Sequence, residues 1–106
     1  MASAFRVVLI TSPRGRTADS LARGLVEGRL AACVNVVAGV ASHYRWKGRL
    51  LRDAEALLIV KTSAAKIPTL QRFLAKNHPY ALPEMLALKV ADGSKPYLKW
   101  LAGELK

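Results

Sequence analysis

The chain has 106 residues, with 17 Lys and Arg against seven Asp and Glu, a formal charge of +10, 52% hydrophobic residues and a single cysteine. That length makes one domain, 1–106, able to bury roughly two-thirds of its unfolded surface without disulfide staples, and its apolar content excludes a disordered chain. No apolar run approaches the ~20 residues that cross a bilayer, so no membrane partner is expected.

Met1-Ala2-Ser3-Ala4-Phe5-Arg6 leads straight into a strand pattern, with no basic n-region and no cleavage site. Together with the lone thiol, this predicts a reducing cytoplasm. The positive balance favours acidic partners in general. The cations are dispersed, however, and only Arg45 to Arg52 forms a local cluster. Dispersed charge reads as solvated surface, so nucleic acid is not the expected partner.

Phe5 to Thr11 is short, apolar and β-branched, and it stops at Ser12-Pro13, which predicts a buried strand. Ala18, Leu21, Ala22, Leu25 and Val26 then recur at helical spacing, opposite Arg16, Asp19, Arg23 and Glu27. Ser12 with Pro13, or Thr17, is the expected start of this helix, and Gly28 its stop. Ala31 to Val37 is the second strand, bent or bulged at Gly39 and continuing extended to Trp46. Lys47-Gly48 reads as a hairpin turn, with the return running from Arg49 to Thr62. Within it, Ala56-Leu57-Leu58-Ile59-Val60 is apolar on both faces, as a central strand is.

Ile67, Leu70, Phe73 and Leu74 mark a second helix, with Pro68 in its first turn. His78 to Pro83 carries two prolines and is predicted to be a loop. Glu84 to Val90 is a fourth strand, and Asp92-Gly93-Ser94 turns into a last helix carrying Tyr97, Leu98, Leu101 and Leu105. The order β-α-β-β-α-β plus a terminal helix is the ferredoxin-like arrangement, an α+β fold with helices on one face of an antiparallel sheet. The other face and the edges of the long hairpin stay uncovered, which predicts a homo-oligomer.

Cys33 and Asn35 alternate onto one sheet face, and Ala32, Val34 and Val36 onto the other. Cys33 is either a small hydrophobe filling core or interface, or a soft ligand of the kind that selects copper(I). His78, Tyr80 and Glu84 fall within one short segment. With Cys33, an imidazole and a carboxylate there form a candidate mixed copper or zinc site. The plainer reading has His78 capping the preceding helix and Glu84 pairing with a nearby base. His43 sits beside Arg45 and Lys47 and reads as surface. Tyr44 and Trp46 share one hairpin face and pack across a subunit boundary, rather than forming the aromatic-rich signature of an RNA reader. The Ser12-Pro13-Arg14-Gly15-Arg16 turn is not glycine-rich, and no nucleophile–base pair appears by spacing. No enzymatic activity is therefore expected.

Thr11, Leu25-Val26-Glu27, Arg29 to Asn35, Ser42-x-Tyr44-x-Trp46-x-Gly48, Glu55, Lys61-Thr62, His78-Pro79-Tyr80, Pro83-Glu84 and Tyr97-Leu98-x-Trp100 form an ordered set from Leu9 to Trp100. With these residues the chain resembles the CutA divalent-cation tolerance proteins. The resemblance implies a ferredoxin-like fold assembled as a trimer through the long hairpin and the terminal segment. It also implies a link to tolerance of copper and other divalent cations, with Cu or another divalent ion bound but not required for folding. The family's trimer looks like that of the PII signalling proteins, which implies ligand sensing in clefts between subunits and, as the alternative, a small anionic ligand without a metal role. Carried over, Cys33, His78 and Glu84 stand at potential metal-ligand positions. Asn35, Tyr44, Trp46, Lys61 and Tyr80 stand at positions that line the inter-subunit cleft. Two departures stand out: Ala81 where the family usually has an acidic residue, and Lys47 where Glu or Gln is more common.

Overall fold

A computed structural model of the chain describes residues 2–106. Met1, where the expected single domain begins, lies outside the described residues. After a short 3-10 turn come β1 (Phe5–Ser12), α1 (Arg16–Glu27), β2 (Cys33–Trp46), β3 (Arg49–Ser63), α2 (Ile67–Asn77), β4 (Leu86–Lys89) and α3 (Lys95–Glu104). All strand pairs are antiparallel, and the sheet order is β2-β3-β1-β4. This is the ferredoxin-like α+β order that the sequence predicts.

Alternation along β3 divides the sheet into two faces. Ala56, Leu58 and Val60 point to the helix side, where with Val8, Ile10, Leu21, Leu25, Leu70 and Leu74 they form the main core. Leu57, Ile59 and Lys61 point the other way and stay half-buried. The register extends that second face into rows: Leu86, Leu9, Ile59 and Asn35 in one, Leu88, Val7, Lys61 and Cys33 in the next. One end of this face is not open. There α3 lays Leu101 and Leu105 on Phe5 and Ala32, forming a second small core that the expectation of helices on one face did not include.

Several boundaries differ from the sequence reading. Helix α1 starts between the two expected caps, with Gly15 at its N-cap (φ 75°) in place of Ser12 or Thr17. Ser12 is still committed to the sheet, paired with Ala56. Gly28 does end the helix, but the left-handed residue is Arg29 (φ 59°). Leu30 N–H reaches the Leu25 carbonyl at 2.9 Å and Arg29 N–H the Val26 carbonyl at 3.1 Å. That is a Schellman closure with a non-glycine residue in its left-handed position, held by Leu25 and Leu30 inside the core. The second strand starts at Cys33, not Ala31, and β4 covers Leu86–Lys89 only.

The hairpin is long, as predicted, and gives the body its 44 × 25 × 24 Å shape. Lys47 (φ 52°) and Gly48 (φ 77°) form its two-residue turn, both left-handed as the turn type that suits strand twist requires. Replacing Leu58, fully buried in the main core, by Ala is expected to lower stability by about 2–5 kcal/mol in denaturant unfolding. A loss below about 1 kcal/mol would place Leu58 outside the core.

Candidate functional site

The hairpin changes faces at Gly39. Val37 pairs with Leu57, but Val40 pairs with Glu55, so Ala38 and Gly39 together oppose Ala56 alone. One extra residue reverses the alternation of everything beyond it. Ser42, Tyr44 and Trp46 thereby join Asp53 and Glu55 on the sheet face opposite the main core, the face that carries Cys33 further back.

At this turn of the sheet lies a groove of about 780 Å³, lined by Thr11, Ser42, His43, Tyr44, Trp46, Asp53, Glu55, Pro79, Tyr80, Ala81, Leu82 and Glu84. The segment after α2 closes one side, and His78 fixes it. The His78 ring is buried; its Nδ1 accepts from Tyr80 N–H at 3.1 Å, and its Nε2 lies 2.8 Å from the Thr11 carbonyl. A backbone N–H can only donate, so Nε2 carries the proton and donates to Thr11. The Thr11 carbonyl faces the β4 side, as the Phe5 carbonyl does where it receives Val90 N–H. His78 therefore takes the place of a further β4 residue, which is why β4 stops at Leu86. Coordination of a metal at His78 requires breaking one of these two bonds.

Tyrosine hydroxyls hold the groove's acids. Tyr80 OH donates to Glu55 Oε2 at 2.6 Å, and Tyr44 OH donates to Asp53 Oδ2. Thr11 Oγ1 donates to Glu84 Oε1 at 3.5 Å. Burial first, and the Glu55 bond second, push the Tyr80 phenol far above its ordinary value of 10.0. The Asp53 bond raises Tyr44 in the same sense. Both phenols therefore act as donors to the carboxylates.

Cys33 lies at the opposite end of the same face. Lys61 Nζ is 3.9 Å from its sulfur, and the thiol is 4.0 Å from Asn35 Oδ1. Tyr97, stacked on Trp100 with centroids 5.5 Å apart, has its phenol raised by burial and then by Cys33. Cys33 pairs with Lys61 and Val40 with Glu55, a separation along β3 of roughly 20 Å at strand spacing. The structure thus brings Tyr44, Trp46, Tyr80 and Glu84 to one groove, with His78 beneath it, and leaves Cys33, Asn35 and Lys61 together elsewhere. Among the described residues, no three His, Cys, Asp or Glu side chains gather to hold a metal ion.

From the sequence alone Asp53 and Glu55 have no assigned role, and His43, which lines the groove, reads only as surface. The available signal was the two-residue spacing of Asp53 and Glu55, which puts both acids on one face of a strand. Which face depends on the bulge.

A spectrophotometric titration of the three tyrosines tests these contacts. In the folded protein none is expected to ionise at 10.0, because all three are raised. Tyr80 is protonated longer in the folded than in the unfolded chain. Its contribution to stability is therefore whole below pH 10.0 and is lost as pH climbs towards its folded value. Tyrosines titrating at the ordinary value in the native protein would contradict the hydroxyl–carboxylate bonds.

The CutA1 divalent ion tolerance protein family model matches residues 6–104. The chain is 50% identical over 95 residues to the divalent-cation tolerance protein CutA of Thermus thermophilus, covering 90% of this chain and 92% of that one. It is 42% identical over 92 residues to human protein CutA, of which it spans 51%. Among solved structures, the divalent cation tolerance protein Cut A1 of Thermus thermophilus superposes with a TM-score of 0.89 at 48% identity, over 92% of this chain and 94% of that one. CutA1 of Oryza sativa gives a TM-score of 0.93 at 38% identity, over 96% and 94%. The chain belongs to the CutA1 divalent ion tolerance protein family.

Proposed function

We propose that this chain serves divalent-cation tolerance by binding transition metal, copper foremost, as a cytoplasmic homotrimer that acts by binding and signalling rather than by catalysis. The observation that carries this reading is the sheet face opposite the main core, which α3 covers at one end only. It is apolar and exposed, with Leu86 at 57% and Leu88 at 51%, and it carries a thiol at one end and carboxylates at the other. Exposed apolar surface of this kind marks an interface. The metal reading requires an assembly that covers it with the thiol end of one copy against the groove end of another.

Cys33 then supplies the soft donor that copper(I) prefers, and Glu84 a carboxylate beside it. His78 enters such a site by giving up its bond to Thr11 or to Tyr80; otherwise it positions the loop that carries Glu84. No single copy gathers the donor set, so binding is expected to depend on assembly. A second reading, a small anion held at Lys61, is favoured by one observation. Lys61 has no carboxylate within ion-pair distance among the described residues, and its ammonium faces only the Cys33 sulfur.

Titration of the assembled protein with Cu(I) and Cu(II) is expected to show binding that Cys33→Ser weakens most and Glu84→Gln less. Unchanged stoichiometry and affinity in Cys33→Ser and His78→Ala would overturn the metal assignment. Anion-induced thermal stabilisation abolished by Lys61→Ala would favour the second reading instead. For the assembly, Leu86→Glu is expected to convert a trimer to a folded monomer by light scattering, since Leu86 is exposed within one chain. A trimer that survives this change would contradict burial of the face.

A further inference from the structure

Glu55 is 6% exposed in a chain of charge +10, yet no Lys or Arg lies within ion-pair distance of it among the described residues. The ion pairs found there are Arg23–Glu27 within α1 and Arg29–Glu104 between the turn after α1 and the end of α3, and neither uses a groove residue. Among the described residues, the one hydrogen bond to the Glu55 carboxylate comes from the Tyr80 hydroxyl, which satisfies one oxygen and brings no positive charge. A buried carboxylate without a counterion is costly unless a cation reaches it. Asp53 has the same arrangement with Tyr44, and Glu84 faces the groove from the opposite wall. Three of the chain's seven acids therefore face one cavity of about 780 Å³.

The chemistry of the walls selects the kind of cation. A divalent metal ion needs several oxygens with free lone pairs converging on one point. Here the tyrosine hydroxyls already occupy an oxygen of Asp53 and of Glu55, and no three donors converge among the described residues. Trp46, Tyr44 and Tyr80 instead supply aromatic surface around the acids. Rings with carboxylates behind them suit an organic ammonium, whose N–H groups donate to the remaining oxygens while its apolar body lies on the π faces. The volume falls within the range of small-molecule pockets.

We infer that this groove binds a primary ammonium ligand with an apolar or aromatic body, taking buried Glu55 as its counterion, Asp53 and Glu84 as acceptors at the rim, and Trp46, Tyr44 and Tyr80 as its walls. The site excludes the thiol that the metal reading takes as its soft donor, and it shares with that reading only Glu84 at the rim.

Calorimetric titration of the assembled protein with benzylammonium, benzyl alcohol and benzoate tests it. Benzylammonium is expected to bind at one site per chain and the alcohol about tenfold or more weakly, with no binding of benzoate. Glu55→Gln is expected to weaken the ammonium about tenfold, and exposed Glu84→Gln about two- to threefold. Trp46→Phe should remove the accompanying fluorescence change while circular dichroism confirms the fold. Equal binding of the alcohol, or an unchanged affinity in Glu55→Gln, would overturn the assignment. So would the absence of ammonium binding, which would mean that a basic side chain of a second copy fills the groove. Saturating Cu(II) should weaken the ammonium no more than Glu84→Gln does, about two- to threefold; a loss of about tenfold or more would put the metal at Glu55 and overturn the assignment.

Discussion

One extra residue in the second strand decides what this protein presents on the sheet face opposite its main core. Without the bulge at Ala38 and Gly39, the pairing of Val37 with Leu57 would continue to Gly39 with Glu55 and Arg45 with Arg49. Two arginines would then oppose one another, and Tyr44 and Trp46 would point to the helix side, beyond the reach of α1 and α2. With the bulge, Trp46 opposes Arg49, Tyr44 opposes Leu51, and the aromatic rings share a face with Asp53 and Glu55. Register slips flip whole sets of side chains because the strand period is two. Here that sensitivity is used once, at a glycine, to hand the arm's aromatic face to the groove.

The central strand β3 ties the two ends of that face together. It runs between β1 on one side and β2 on the other, so Lys61 and Glu55 are fixed relative to one another by a well-buried part of the sheet. Charge is distributed unevenly over this frame. A chain with ten more positive than negative groups places three acids around one cavity, ties two more to arginines, and leaves most cations of the described residues outside ion pairs. The surface repels cations at long range, while the groove attracts them at short range. The thiol end has the opposite character, with a lysine ammonium beside the sulfur.

Much of the fold could be read from the sequence. Helical spacing from Ala18 to Val26, the Lys47-Gly48 turn and the Gly39 bulge are local signals, and each falls where expected. Boundaries that depend on tertiary contacts could not be read. Ser12 has the chemistry of a helix cap, but its backbone is held by Ala56. The fourth strand has the composition to start at Glu84, but His78 takes the carbonyl it would have used. The site was legible in part for the same reason. Tyr44, Trp46, Tyr80 and Glu84 meet as one group, while the acids that give the groove its charge, Asp53 and Glu55, acquire a role only once the strand's parity is known. The sequence suggests His78 as a ligand or a helix cap; in the fold both of its ring nitrogens support the loop.

The cross-strand register of the hairpin tests this account most directly, because the groove exists only if the alternation reverses. Nuclear Overhauser contacts between backbone protons of β2 and β3 in isotope-labelled protein would report it residue by residue. The account predicts Val37 opposite Leu57 and Val40 opposite Glu55, with Ala38 and Gly39 sharing Ala56. An uninterrupted ladder that places Gly39 opposite Glu55 would contradict it.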